Sequence, residues 1–386
     1  MFSNAIKIFT FNRFDIKVDP SWLIIAALIT WTLSREFFPS VMPNASPLIY
    51  FIVAVIAMLG LFASLLLHEL AHSIAARRLG VQIKSITLFL FGGVAELESD
   101  PPSARAEIQI AAAGPLMSLC LAAGFWVLEY LAAVLGLPIA FIEIASYLST
   151  INLVLAIFNL LPAFPLDGGR ILRAALWARS GNALSATRIA TQAGTFLAYS
   201  LMGLGILVLW QGAIVAGLWQ LIIGGFVLLA ARASYSQELA KVAFGDQTVK
   251  ALMTHDPVTA SPEMTISELA DDIILEKRLT FVPVVEGDVL LGQVDLSILA
   301  GIERENWKSI RVDDVFVNLG SSSTIDESTL IKDLFETISK TGQRKFLVLS
   351  NHKLVGVVTF SDLIRHLAIH DQLQQPVYAP VKHVKT

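Results

Sequence analysis

Three titratable residues fall within five positions of an otherwise apolar stretch, Leu65-Leu66-Leu67-His68-Glu69-Leu70-Ala71-His72. On a helix, positions i and i+4 share a face about one 5.4 Å turn apart, so His68 and His72 can aim two imidazoles at one ion. Glu69, next to the first histidine, can reach a water held by that ion and take its proton. This is the H-E-x-x-H arrangement, in which zinc brings the pKa of water to near 7. Taken alone the five residues are moderately specific, and a wet turn at the end of an apolar span would also hold them. Their setting says more, because titratable groups inside membrane helices cost a few kcal/mol each and mark function.

Catalytic zinc takes three protein ligands and leaves one position open. The candidate for the third is Asp167, in Asn159-Leu160-Leu161-Pro162-Ala163-Phe164-Pro165-Leu166-Asp167-Gly168-Gly169-Arg170. Pro162 and Pro165 lack amide donors and forbid a regular helix, and Gly168-Gly169 permits positive φ. Broken backbone at membrane depth needs cover by protein or a watered cavity, as a hydrolytic site does. An ordinary Pro/Gly turn leaving the membrane is the simpler alternative.

The elements that must position these residues are membrane spans. The chain has 386 residues with 16% charged, against about 25% in an average chain, and a mean hydropathy of +0.65. From Ser21 to Ala231 it reads as long apolar runs; from Gln237 onward it has the mixed texture of a soluble domain. Spans are expected at Trp22–Phe38, Leu48–Leu67, Ile108–Leu137, Ile139–Leu161, Ala190–Trp210 and Ala213–Ala231. The fold expected is thus a polytopic α-helical membrane domain of about six spans followed by a soluble α+β domain. Lys7, Arg13 and Lys17 precede the first span; Arg77, Arg78, Lys84 and Arg105 lie between the second and third; Arg170, Arg173, Arg179 and Arg188 lie between the fourth and fifth. Basic residues concentrate on the cytosolic side, so both termini are expected there, in a bacterial plasma membrane or an organelle membrane. The start lacks a signal-peptide pattern, so the first span is expected to stay attached. A net charge of −4 without a basic, aromatic-interleaved block argues against nucleic acid as a partner. The single cysteine, Cys120, excludes a disulfide framework and reads as a small buried hydrophobe.

The sequence resembles the site-2 protease family of intramembrane zinc metalloproteases over roughly residues 10 to 235. The likeness rests on His68-Glu69-Leu70-Ala71-His72 and on Asn159-x-x-Pro162-x-x-Pro165-Leu166-Asp167-Gly168-Gly169. It implies His68, His72 and Asp167 as ligands of one zinc, Glu69 as general base, and Asn159 near the scissile carbonyl. Leu88-Phe89-Leu90-Phe91-Gly92-Gly93-Val94-Ala95-Glu96-Leu97 is similar to that family's membrane-dipping hairpin, which makes Gly92 and Gly93 candidates for substrate binding through an exposed strand edge. A cytosolic hairpin without substrate contact is the alternative. Ala113-Gly114-Pro115-Leu116-Met117-Ser118 also looks like a family segment, but Ser118 stands where an Asn is common, which puts a polar role there in doubt. Gly114 and Pro115 are expected to allow close packing and a bend.

Between Lys250 and His370 one pattern occurs twice, with a period of about 60 residues. The first copy is expected to hold a strand at Pro257-Val258-Thr259, a helix over Thr265–Glu276, strands around Phe281–Val285 and Gly292–Val294, and a closing helix. The second places a helix over Leu330–Ser339, strands at Lys345–Leu349 and Val355–Val358, and a closing helix over Phe360–Ala368. The pattern resembles tandem CBS modules, which implies adenine nucleotide (ATP, ADP or AMP) as a ligand. Gly356-Val357-Val358-Thr359-Phe360-Ser361-Asp362 fits that family's Gly-h-h-Thr-x-x-Asp segment, so Thr359 is a candidate for phosphate and Asp362 for ribose. Simple N-capping of the last helix by Thr359 or Ser361 explains the same residues. In the first copy Asp295 and Ile298 replace the two polar positions. Residues 1–235 are expected as the protease domain, 236–310 as the first module and 311–386 as the second with a tail.

The function expected is hydrolysis of peptide bonds in or near transmembrane segments of a protein substrate within the bilayer, with nucleotide as a modulator and a homodimer as an admissible assembly. A CBS-regulated transporter or channel, and a metal-binding pseudoprotease scaffold, are the alternatives.

Overall fold

Side-chain caps and prolines decide where the long apolar runs begin as helices. The computed structural model describes residues 5–11, 14–89, 92–97, 99–320, 323–351 and 353–374; Arg13, Leu90, Phe91 and the tail from Gln375 fall outside them. Strands β1 (Ile6–Phe11) and β2 (Phe14–Val18) open the chain. Helix α1 (Trp22–Thr32) then runs through a π-helical turn at Leu33–Phe37 into α2 (Phe38–Val41). Helix α3 (Pro47–Arg78) starts at Ser46, whose hydroxyl accepts from the amide of Ile49, with Pro47 in the first turn where no donor is missed. Strands β3 (Ile83–Phe89) and β4 (Gly92–Leu97) follow, then α4 (Ala104–Val134), capped by Ser103. Next come α5 (Ile139–Asn159), α6 (Asp167–Ser180), α7 (Ala183–Trp210), capped by Asn182, and α8 (Ile214–Phe244).

Among the described residues, α3, α4, α5, α7 and α8 are long and apolar enough to cross a membrane. The expected first span is helical from Trp22 to Val41, but the π-helical turn divides it, so no single unbroken helix there reaches that length. Helix α3 runs on past Leu67 to Arg78, so His68 and His72 stand on regular helix and not on an interfacial turn. Helices approach closely through fully buried Ala54, Ala57, Ala111, Ala156, Ala190 and Ala198, while Leu23, Trp31, Trp126, Phe196 and Val215 point outward. That inside-out pattern is what a lipid solvent imposes, since the tails are as apolar as leucine. It also corrects the reading of Cys120, which lies exposed on α4. An apolar neighbourhood in sequence means a lipid-facing surface here.

Strands β1 to β4 form one sheet in the order β1-β2-β3-β4, with β2 and β3 parallel and β4 at an edge.

The chain divides into two compact units between Glu238 and Leu239. The second contains β5 (Thr254–His255), α9 (Ile266–Glu268) continued by a π-helical run at Leu269–Leu275, β6 (Phe281–Glu286), β7 (Val289–Asp295) and α10 (Leu296–Ala300). It continues with β8 (Val317–Asn318), β9 (Thr324–Asp326), α11 (Ile331–Thr341), β10 (Lys345–Ser350), β11 (Lys353–Thr359) and α12 (Phe360–Gln374). The expected strand at Pro257–Thr259 does not form; Thr254–His255 makes β5, and Ala260 makes an isolated parallel bridge with Val284 of β6. The two copies exchange these strands: β5 pairs with β11 and β8 pairs with β7. A cut in the sequence between the copies therefore does not separate their sheets.

Candidate active site

Helix α3 supplies His68, Glu69 and His72, and α6 begins at Asp167. The Nε2 atoms of His68 and His72 are 3.2 Å apart, and each lies 3.2 Å from Oδ2 of Asp167. All three side chains are buried. The loop before α6 cannot continue α5 as helix, so the chain turns and presents the Asp167 carboxylate to the histidine face.

The imidazoles are aimed by α4. The His72 Nδ1–H donates to the carbonyl oxygen of Ile110 over 2.7 Å. A carbonyl only accepts, so this bond fixes the proton on Nδ1 and leaves the Nε2 lone pair facing Asp167. His68 Nδ1 lies 2.8 Å from the hydroxyl of Ser118, which accepts when His68 takes the same tautomer. Between these two, Gly114 leaves the space the rings occupy: a Cβ there would lie 2.1 Å from His72 Nε2 and 2.5 Å from His68 Nε2. Residues 110, 114 and 118 follow a four-residue spacing, so one face of α4 offers a carbonyl, a gap and a hydroxyl. Sequence reasoning missed Ile110 and left a polar role for Ser118 in doubt. The signal available was a serine in an apolar span, four positions after a glycine.

Glu69 is half-buried beneath β4, where a Cβ on Gly93 would lie 2.4 Å from its Cγ. Glu69, Asn159, Gly92 and Gly93 line one cavity of about 530 Å³ together with His68, His72 and Asp167. Arg170 of α6 and Trp219 and Phe226 of α8 also line it. Thr359 and Asp362 lie elsewhere, in the second unit at the start of α12. There the amide and hydroxyl of Thr359 donate to Asp362 Oδ2 over 3.0 and 2.7 Å, and the Asp362 amide donates back to the Thr359 hydroxyl over 3.2 Å.

His68, His72 and Asp167 can hold a metal ion, with one ligand atom from each lying within 4.8 Å of the others. Two neutral imidazoles and one carboxylate beside an open cavity fit zinc with a free coordination position. Such a centre, with a glutamate alongside and membrane-length helices around it, belongs to the class of membrane metallopeptidases.

Comparison with known proteins narrows the class. The profile of peptidase family M50 matches residues 56–135 and 136–201, and the CBS domain profile matches 249–301 and 312–369. Rip3 of Mycobacterium tuberculosis strain H37Rv, whose name places it among zinc metalloproteases, is 35% identical over 375 residues, which cover 97% of this chain and 95% of Rip3. Zinc metalloprotease MJ0392 of Methanocaldococcus jannaschii is 32% identical over 309 residues, covering 80% of this chain and 84% of that protein. The solved site-2 protease from Methanocaldococcus jannaschii is 30% identical and covers 60% of this chain and 95% of its own, with a TM-score of 0.43. The chain belongs to peptidase family M50 and is a multi-pass membrane zinc metalloprotease with a tandem CBS domain. A transporter or channel is thereby set aside.

Proposed function

We propose that this protease is an intramembrane endopeptidase that cleaves protein substrates in or near their transmembrane segments, in regulated release of membrane-tethered factors. The observation that carries the reading is the meeting of His68, His72 and Asp167 at 3.2 Å, with Glu69 on the wall of the same cavity. These three residues would hold zinc, which would supply a Lewis acid able to lower the pKa of water and polarise a carbonyl. Glu69 takes the proton of the attacking water and returns it to the leaving amine. Asn159 donates a hydrogen bond to the carbonyl oxygen as charge develops on it. A helical substrate hides its carbonyls in hydrogen bonds and must unwind; edge strand β4, carrying Gly92 and Gly93, offers the unwound segment backbone partners. The loops rich in lysine and arginine support a cytosolic position for both termini.

Adenine nucleotide at the second CBS copy is the reading favoured for the soluble unit. Thr359 and Asp362 stand together at the start of α12. In the first copy Asp295, in the place of Thr359, holds a carboxylate where a phosphate would bind and is paired with Lys345. This supports one site per chain, or none, over two.

Glu69→Gln tests the catalytic reading. The variant keeps its zinc and loses cleavage of a transmembrane substrate by roughly 10²–10⁴-fold; retained proteolysis defeats the mechanism, and lost zinc means that Glu69 is a ligand and not the base. Calorimetric titration with ATP, ADP and AMP tests the soluble unit, where flat isotherms remove nucleotide from the account.

A further inference from the structure

A second buried polar cluster lies on α6, away from the reacting groups. Arg173 stands six residues beyond Asp167 on that helix. Its Nη2 and Nε reach the same Glu107 oxygen at 2.6 and 2.9 Å. Its Nη1 lies 3.2 Å from Oε2 of Glu238 and 3.5 Å from the hydroxyl of Thr187. The guanidinium also sits 6.0 Å from the centre of the Phe164 ring. The Glu107 side chain has no exposure, and those of Arg173 and Glu238 are each 14% exposed.

Each partner belongs to an element that sets the metal site. Glu107 is three residues before Ile110 on α4, and the Ile110 carbonyl orients His72. Phe164 is in the loop that delivers Asp167, where its amide donates to the carbonyl of Ala190 on α7. Thr187 is on α7 as well. Glu238 is on α8, whose Trp219 and Phe226 line the cavity, and it is the last residue of the first unit. One guanidinium therefore links the carriers of both ligand arms and the helix that walls the site. A buried ion pair is weak evidence for stability, since apolar side chains of similar volume serve as well or better; what it adds is geometry. Arginine suits that role because its five donors point in fixed directions from one plane.

We infer that Arg173 is a positioning residue of the metal centre: it sets the Asp167 arm on α6 against the histidine arm backed by α4. Its pairing with Glu238 makes that setting respond to the position of α8. The inference rests on the assignment of His68, His72 and Asp167 as the zinc ligands. The Glu238 contact is the longer and more exposed of the two ion pairs, so a displacement of α8, which leads into the soluble unit, breaks it first and relaxes α6 while Glu107 still holds.

The test uses the full-length protein in detergent, comparing wild type with Arg173→Met, Arg173→Lys, Glu238→Gln and His68→Ala. Zinc affinity is read by chelator competition, ligand geometry by the visible bands of the cobalt-loaded protein, and folding by melting and size exclusion. Arg173→Met is expected to bind zinc about tenfold more weakly, the scale of losing an outer partner of a metal ligand, with shifted cobalt bands and a lower kcat at unchanged KM. Arg173→Lys, which keeps charge but not the fork, falls between, and Glu238→Gln shows a smaller change in the same direction. Wild-type zinc affinity and cobalt bands in folded Arg173→Met and Arg173→Lys would make the residue merely structural and overturn the inference. If Arg173→Met does not fold, Arg173→Lys decides by the same criterion. An unchanged Glu238→Gln overturns the link to α8. His68→Ala keeping its zinc would instead overturn the ligand assignment, a failure separate from that of Arg173.

Discussion

Asp167 and Asp362 each sit in the first turn of a helix, and they are employed differently. Asp167 opens α6 and turns its Oδ2 to two imidazoles from a helix about a hundred residues earlier in the chain. Asp362, in the first turn of α12, turns its Oδ2 back onto the amide and hydroxyl of Thr359, three residues away. The first bonds complete no local structure and make sense only if the three groups share an ion. The second complete the helix start that bears them, as N-terminal capping does. A carboxylate at a helix start thus becomes informative through the sequence distance of what it touches. Asp167→Ala sharpens the contrast most: zinc content falls to near none and cleavage to background, measured by metal analysis and a cleavage assay, while Asp362→Ala leaves the zinc in place. Retained zinc in Asp167→Ala would erase the distinction.

Next in size is Gly93→Ala. A methyl group there would lie 2.4 Å from Glu69 Cγ, so the base or β4 must move. A displacement near 1 Å costs about 10²-fold in rate, so kcat should drop by about that factor with zinc content unchanged. A variant with normal kcat would show that β4 yields freely, and Gly93 would then have no part in placing Glu69.

These two sites differ in how far they can be read from residues alone. His68, Glu69 and His72 are legible because helical spacing puts them on adjoining faces without reference to anything else. Asp167 is legible because two prolines and two glycines break an apolar run where backbone needs a reason to be irregular. The backing by α4 is not, because Ile110 acts through its carbonyl and Gly114 through the side chain it lacks. Arg173 escapes for another reason: in sequence it is one of several basic residues in a loop, and only packing brings Glu107 and Glu238 to it. The exchange of β5 and β8 is hidden because strands of two residues leave no periodicity, and the division of the first span is hidden because the π-helical turn at Leu33–Phe37 carries no proline or glycine.

Smaller effects separate orientation from ligation, and capping from nucleotide binding. Ser118→Ala removes the partner of His68 Nδ1 but no ligand, and should weaken zinc binding about tenfold in a chelator competition; no change would mean that the Ile110 bond to His72 suffices to aim the pair. Thr359→Ala removes the cap of α12 and should cost about 1 kcal/mol, read as faster amide hydrogen exchange in α12 without nucleotide. If exchange there is unaltered while nucleotide binding disappears, Thr359 belongs to a ligand and not to its helix, and the contrast with Asp167 dissolves.

The first CBS copy supplies the last and smallest test, because there the equivalent turn carries a charge of its own. Asp295 caps α10 by accepting from the amide of Ser297 over 3.1 Å and pairs with Lys345 of the other copy. Burial works against its charge, but the hydrogen bonds from Lys345 and Ser297 win and hold the carboxyl below its ordinary 3.8. A carboxyl depressed in the folded state stabilises it above the unfolded pKa, so the contribution is complete above about pH 4 and fades as pH falls through the lower folded value. With side chains 26% and 28% exposed, the pair should be worth about 0.5 kcal/mol. Asp295→Asn keeps a capping oxygen and removes the charge. Its stability relative to wild type, followed by hydrogen exchange in β7 and β10, should be lower at neutral pH and converge on wild type below about pH 4; a difference that does not change with pH would mean that the cap and not the ion pair joins the two copies at this turn.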